Sequence, residues 1–170
     1  MKKYGMFGIM ILAAGMFIYW GIFSPARYVL AIEPMPEREE LYFLPVSESE
    51  HFQLQFTHSV HLSKVIEEYE LHKDMLVPVR LIYEDTAIGM PSNAGEGETF
   101  EMKNGKYYIS DLTGKHSSLD LNIGQVKAEH TIKYNDSSHV LKDSIEAGSW
   151  VRIEPKHLSN WELWRGVKLK

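Results

Sequence analysis

The sequence predicts an all-β domain, an antiparallel β-sandwich or barrel-like fold, set behind one N-terminal transmembrane helix. Three observations lead there. Residues 4–23 form a single uncharged run. From Tyr28 onward the apolar residues alternate in short stretches, with turn signals at the spacing of about 8–12 residues typical of sandwiches and barrels. An Asn104-Gly105 pair between two alternating runs is the strongest short-range signal for a β-hairpin. Roughly eight or nine strands then leave little room for helices in the remaining ~140 residues.

The N-terminal run comes first. Lys2 and Lys3 precede it, and Tyr4, Tyr19, Trp20 and Phe23 stand near its ends. Twenty residues at helical rise match the ~30 Å hydrocarbon core. The lysines favour a cytoplasmic N-terminus, and the aromatics suit the two interfaces. This divides the chain into a signal-anchor segment, residues 1–27, and an exported domain, residues 28–170. The expected location is the cell membrane, single-pass, with the domain extracytoplasmic. The competing reading is secretion after cleavage at Ser24-Pro25-Ala26, but the run is long for a signal peptide.

Composition narrows the function classes. The 170 residues carry a formal charge of −5, and setting aside Lys2, Lys3 and Arg27 leaves 15 basic against 23 acidic side chains, or −8. An acidic domain repels phosphate backbones, so nucleic acid is not expected as a partner. With no cysteine, disulfides, thiol catalysis and cysteine-based zinc sites are excluded.

Within the domain, residues 28–32 and 41–46 read as the first strands, separated by Pro34, Pro36 and an acidic run. Residues 52–60 and 65–71 alternate clearly and read as antiparallel neighbours joined by the loop 61–64. The expected register pairs Val60 with Val65, His58 with Glu67, Phe56 with Tyr69, and Leu54 with Leu71. Residues 79–83, 100–109 (the Asn-Gly hairpin), 119–123, 128–134 and 150–153 supply further strands, with a loop at 86–97. The tail, 158–169, holds Trp161 and Trp164 and reads as a short helix or a last strand.

That register places one His and one Glu inside an apolar stripe. A buried carboxylate needs a partner, so His58 and Glu67 form the candidate pair, serving either a pocket or the register itself. Ser59 points to the opposite face from His58, and no nucleophile elbow surrounds it, so a serine hydrolase is disfavoured. The histidines are scattered, without metal-ligand spacing, and no metal or cofactor is expected. The glycine-rich stretch around Gly89, Gly95 and Gly97 lacks a phosphate-loop pattern.

His58-Ser59-Val60, then Glu67 followed by the aromatic Tyr69, then Gly89-Met90-Pro91 resemble the motifs of the bacterial family catalogued as domain of unknown function 1850. Here Ala87 stands where that family often has a first glycine, and Met90 replaces the commoner leucine. The resemblance covers residues 28–153 and implies an exported domain without an assigned activity. Genes of the family often neighbour those of tripartite (TRAP-type) transporters with a TAXI-class solute receptor, which implies an accessory role in transport. The partners implied are the membrane and a transporter subunit or solute receptor. Candidate binding residues are His58, Ser59, Glu67, Tyr69, Gly89, Met90 and Pro91. Two alternatives stand beside the accessory role: a small-ligand binding module with a His58/Glu67 pocket, and a hydrolase or isomerase using the same two residues. The enzyme reading ranks last because no nucleophile, metal or cofactor motif accompanies the pair.

Overall fold

The computed structural model describes residues 2–36, 40–60, 62–85 and 90–170, with side chains from Gly8 onward. The N-terminal run is helical: α1 spans Lys2–Phe23, and Ser24 N–H closes its last turn on the Trp20 carbonyl at 2.9 Å. Its large side chains, Ile9, Ile11, Leu12, Met16, Phe17 and Ile18 among them, are exposed. Among the residues whose side chains are described, from Gly8 onward, no helix is long and apolar enough to cross a membrane.

Everything after it is dominated by β structure. The strands are β1 (Pro25–Met35), β2 (Tyr42–Pro45), β3 (His51–Thr57), β4 (Lys64–His72), β5 (Met75–Tyr83), β6 (Thr99–Lys103), β7 (Lys106–Ser110), β8 (Leu119–Asn122), β9 (Thr131–Tyr134), β10 (Ser137–Val140) and β11 (Trp150–Ser159). A short helix, α2 (Asn160–Arg165), and β12 (Val167–Lys168) follow. They form a five-stranded sheet in the order β12-β2-β1-β11-β8 and a seven-stranded sheet in the order β10-β9-β3-β4-β5-β7-β6. Leu30, Ile32, Tyr42, Leu44 and Ile153 of the first sheet share one core with Phe52, Leu54, Tyr69, Leu71 and Ile132 of the second. Two sheets that bury their faces on each other make a sandwich.

β1 is the central strand of the smaller sheet. Val29, Leu30, Ala31 and Ile32 are fully buried in succession, so both faces are covered. Leu30 and Ile32 enter the shared core, while Val29 and Ala31 pack with Phe43, Leu158 and Leu163 of α2. A continuous apolar run rather than alternation is what a doubly covered strand requires. The tail supplies both elements that its sequence offers. Ser159 caps α2, its hydroxyl accepting from Glu162 N–H while the Glu162 carboxylate accepts from Ser159 N–H, a capping box. β12 then runs parallel to β2, an exception to the otherwise antiparallel pairing.

The Asn104-Gly105 hairpin forms as expected, with φ of 53° and 74° at its two turn residues. β10 is an addition. A two-residue turn at Asn135-Asp136, with Asn135 at φ 51°, reverses the chain after β9. Asparagine tolerates this left-handed conformation, so the turn works without glycine.

The β3–β4 register differs from the expected one. Phe52 faces Tyr69, Leu54 faces Glu67, and Phe56 faces Val65, a slide of four residues. β3 ends at Thr57, so His58, Ser59 and Val60 belong to the turn. That turn closes through His58 N–H to the Ser63 carbonyl (2.8 Å) and Leu62 N–H to the His58 carbonyl (2.9 Å), with Leu62 at φ 55°. A slide by an even number keeps every side chain on its face, so hydrophobic pattern cannot distinguish the two registers. The wider turn and the pairing of β3 with β9 decide between them.

Candidate functional site

The register sets Glu67 in a lateral row across the larger sheet. From β10 to β6, directly opposed residues run His139, Ile132, Leu54, Glu67, Leu81, Ile109 and Phe100. Opposed residues on neighbouring strands share a face, so this row lies on the core side with Leu54 and Ile109. Glu67 is its one carboxylate. To one side of it lies the shared core, and to the other a second cluster of Val65, Tyr83 and Ile109.

Glu67 is half-buried, and burial pushes its carboxyl above the ordinary carboxylate range. Two neighbours oppose this without cancelling it. The Tyr69 hydroxyl donates to Glu67 Oε2 at 2.9 Å, and the charge of His116 acts from the strand-like segment beside β5. Tyr69 responds in turn: burial, then the adjacent carboxylate, pushes its hydroxyl well above its ordinary range. His116 is held there by reciprocal backbone hydrogen bonds with Leu76, at 2.7 and 2.9 Å.

A cavity of about 110 Å³ opens beside this group, lined by Glu67, Glu68, Tyr69, Pro78, Arg80 and Leu81. A bulge exposes it. Glu68 faces Arg80 while Tyr69 faces Pro78, which leaves Val79 as an extra residue in β5. Bulges of this kind re-aim side chains and locally break the ladder. Glu68 itself pairs with His51 Nδ1 at 3.1 Å and Arg80 at 3.9 Å.

His58 is therefore not opposite Glu67. The residue opposite Glu67 is Leu54, and His58 lies four residues further along, past the end of β3. The hydrogen-bond partner that Glu67 has is Tyr69, two residues along the same strand, while His116, 49 positions away in sequence, acts on it only through charge. Ser59 is exposed and lines a separate open groove of about 430 Å³ with Asn122, Gly124 and Gln125. Met90 packs on the Val65–Tyr83–Ile109 cluster, and the Pro91 carbonyl accepts from the Tyr83 hydroxyl at 2.5 Å. Gly89 lies outside the described residues.

His130 joins this turn end of the sheet. Its ring lies 5.5 Å from that of Phe56, its Nδ1 accepts from Gly124 N–H at 3.3 Å, and burial lowers its pKa. Glu67, Tyr69 and the cavity thus form one constellation, while the turn at His58-Ser59-Val60 and the Met90-Pro91 segment frame a neighbouring end of the same sheet. Chemically, burial makes Glu67 hold its proton more tightly than an ordinary carboxyl, and in its protonated form it can donate as well as accept a hydrogen bond. Among the described residues no group of three or more His, Asp or Glu side chains is placed to hold a metal ion.

No curated protein and no solved structure matches the chain. Residues 52–141 match a family described as a domain of unknown function, DUF1850. The matched segment runs from β3 to the helical turn after β10, taking in the His58 turn, the Glu67 row and the Met90-Pro91 segment. It is just over half of the 170 residues, and the chain belongs to the DUF1850 family.

Proposed function

We propose that this protein is a membrane-anchored extracytoplasmic accessory protein that assists a TRAP-type transporter of the TAXI class. α1 is its single-pass anchor, N-terminus in the cytoplasm, and the β-sandwich is the extracytoplasmic part. The observation that carries the anchor is the exposed apolar surface of α1, which in water would be a large unsatisfied patch. Its 20 uncharged residues match the hydrocarbon thickness, and Lys2 and Lys3 favour the stated orientation. The transport role rests on the genomic company kept by the family. The decisive experiment is solute uptake by cells with and without the gene, alongside purification of partners from native membranes. Uptake that falls on deletion and a transporter subunit in the eluate support the reading. Unchanged uptake refutes it.

A second reading has its own observation. Glu67 and Tyr69 beside the 110 Å³ cavity suit a small polar group of a ligand held by one carboxyl and one hydroxyl. Such a module would present solute to the transporter. Equilibrium dialysis against candidate solutes, comparing wild type with Glu67→Gln, tests it. Binding that is unaffected by the substitution would remove the cavity from consideration.

A further inference from the structure

We propose that α2 is an interfacial element, with Trp161 and Trp164 seated in the headgroup boundary of the same bilayer that α1 crosses. The inference rests on the reading of α1 as an anchor and adds a second, independent attachment.

Geometry fixes the level of α2. Asn160 Nδ2 donates to the Gly21 carbonyl at 2.8 Å, and the Trp161 ring lies 6.0 Å from that of Phe23. The first turn of α2 therefore stands beside the last turn of α1. From Tyr4 to Phe23 a helix rises about 30 Å, the thickness of the hydrocarbon core. Phe23 is thus where an anchor starting at Tyr4 leaves the apolar layer, and Trp161 shares that height. Tryptophan is favoured there because its ring is amphipathic, apolar in body with one N–H donor.

The side chains agree. Trp164 is 76% exposed and Trp161 40%, their rings 5.2 Å apart. With Tyr19, 4.8 Å from Phe23, they extend one aromatic surface from α1 onto α2. Leu163 faces the other way, into Val29, Ala31, Phe43 and Leu158, so α2 is glued to the sandwich by one side and bares tryptophan on the other. Arg165 follows and is exposed, placed for a headgroup phosphate. The occupant is the bilayer interface because this surface is continuous with the anchor. Electrostatics would not hold the domain down, since residues beyond Arg27 carry −8. The consequence is orientation: with two attachments the outer face of the smaller sheet leans on the membrane.

The test uses the full chain carrying Trp20→Phe and Trp150→Phe, so that only Trp161 and Trp164 fluoresce. It is reconstituted into phosphatidylcholine vesicles brominated either high on the acyl chain, near the glycerol, or at its terminus. The expected result is co-flotation with vesicles, a blue-shifted emission, and loss of most of that emission with the high bromines but little with the terminal ones, at low and high salt alike. Flotation without quenching overturns the proposal while leaving the anchor standing. A blue shift without quenching that grows with protein concentration assigns the surface to a second copy of the chain, which also overturns it. Failure to float refutes the anchor reading itself.

Discussion

Replacing Glu67 by Gln isolates the cost of placing a charge in the apolar row. The amide keeps the shape and still accepts from the Tyr69 hydroxyl, so packing and that hydrogen bond survive. What changes is ionisation. Leu54 and Leu81 flank Glu67, and Tyr69 supplies one donor where an ionised carboxylate accepts several. Because burial raises the folded-state pKa, the protonated form is favoured in the fold. Below the unfolded value, about 4.3, both states hold the proton and Glu67 costs nothing. As pH rises past that value the unfolded chain loses its proton first, and the fold loses stability until its own pKa is passed. Each unit of upward displacement amounts to about 1.4 kcal/mol. The Gln variant should therefore match wild type at pH 4 and be the more stable at pH 7, with a higher Tm, by a margin set by that displacement. Thermal unfolding in detergent micelles, followed across this pH range, reads the difference. A Gln variant less stable than wild type at pH 7, or a gap that does not change between pH 4 and pH 7, would refute the dominance of burial at this carboxyl.

Three further outcomes follow from the same geometry. Paired cysteines at Gln53 and Glu68, which face each other, should cross-link in this cysteine-free chain, whereas cysteines at Thr57 and Glu68 should not; the reverse would restore the slid register. Burial lowers the pKa of His130, so its contribution to stability is complete above about 6.5 and is lost as pH falls through the lower folded value. His130→Asn should flatten that part of the stability profile, and a profile identical to wild type would show that His130 is not the group responsible. Removing the Tyr83 hydroxyl with Tyr83→Phe should cost about 1 kcal/mol by loss of its bond to the Pro91 carbonyl, measured by urea unfolding, while leaving the Glu67 titration unchanged.

Much of the sandwich was legible because its strands obey local rules. The alternation at 52–56 and 65–71, the Asn104-Gly105 turn and the doubly covered run at 29–32 each announce one element. Register was not legible. Leu54 can meet Leu71 or Glu67 with its face unchanged, and only the wide turn at 58–63 and the neighbour β9 choose. That choice moved the site. Glu67 was recognisable as an acid in an apolar stripe, and Tyr69 lies close in sequence. The expected opposition to His58 fails with the register, and the charge effect of His116 on Glu67 has no local signature, because His116 is placed by a backbone bridge to Leu76. β10 was missed because Asn135-Asp136 is a weaker turn signal than Asn-Gly. Ser59 and Met90 had correct neighbours in sequence, but the sheet carries them to a groove and an apolar cluster beyond the Glu67 cavity.

The smaller sheet carries a timing constraint. β1 leaves α1 directly, yet its hydrogen-bonding partner on one side is β11 and the strand order ends with β12 beside β2. Leu169, buried against that sheet, and His139 Nδ1, 2.5 Å from the Lys170 carbonyl, complete the enclosure. The four fully buried residues of β1 thus stay uncovered until residues 150–169 have been made. Such long-range closure delays folding, because loop entropy is lost before any contact forms. The topology itself thus postpones the compact state of this sheet until β11 and β12 are available to close on β1 and β2.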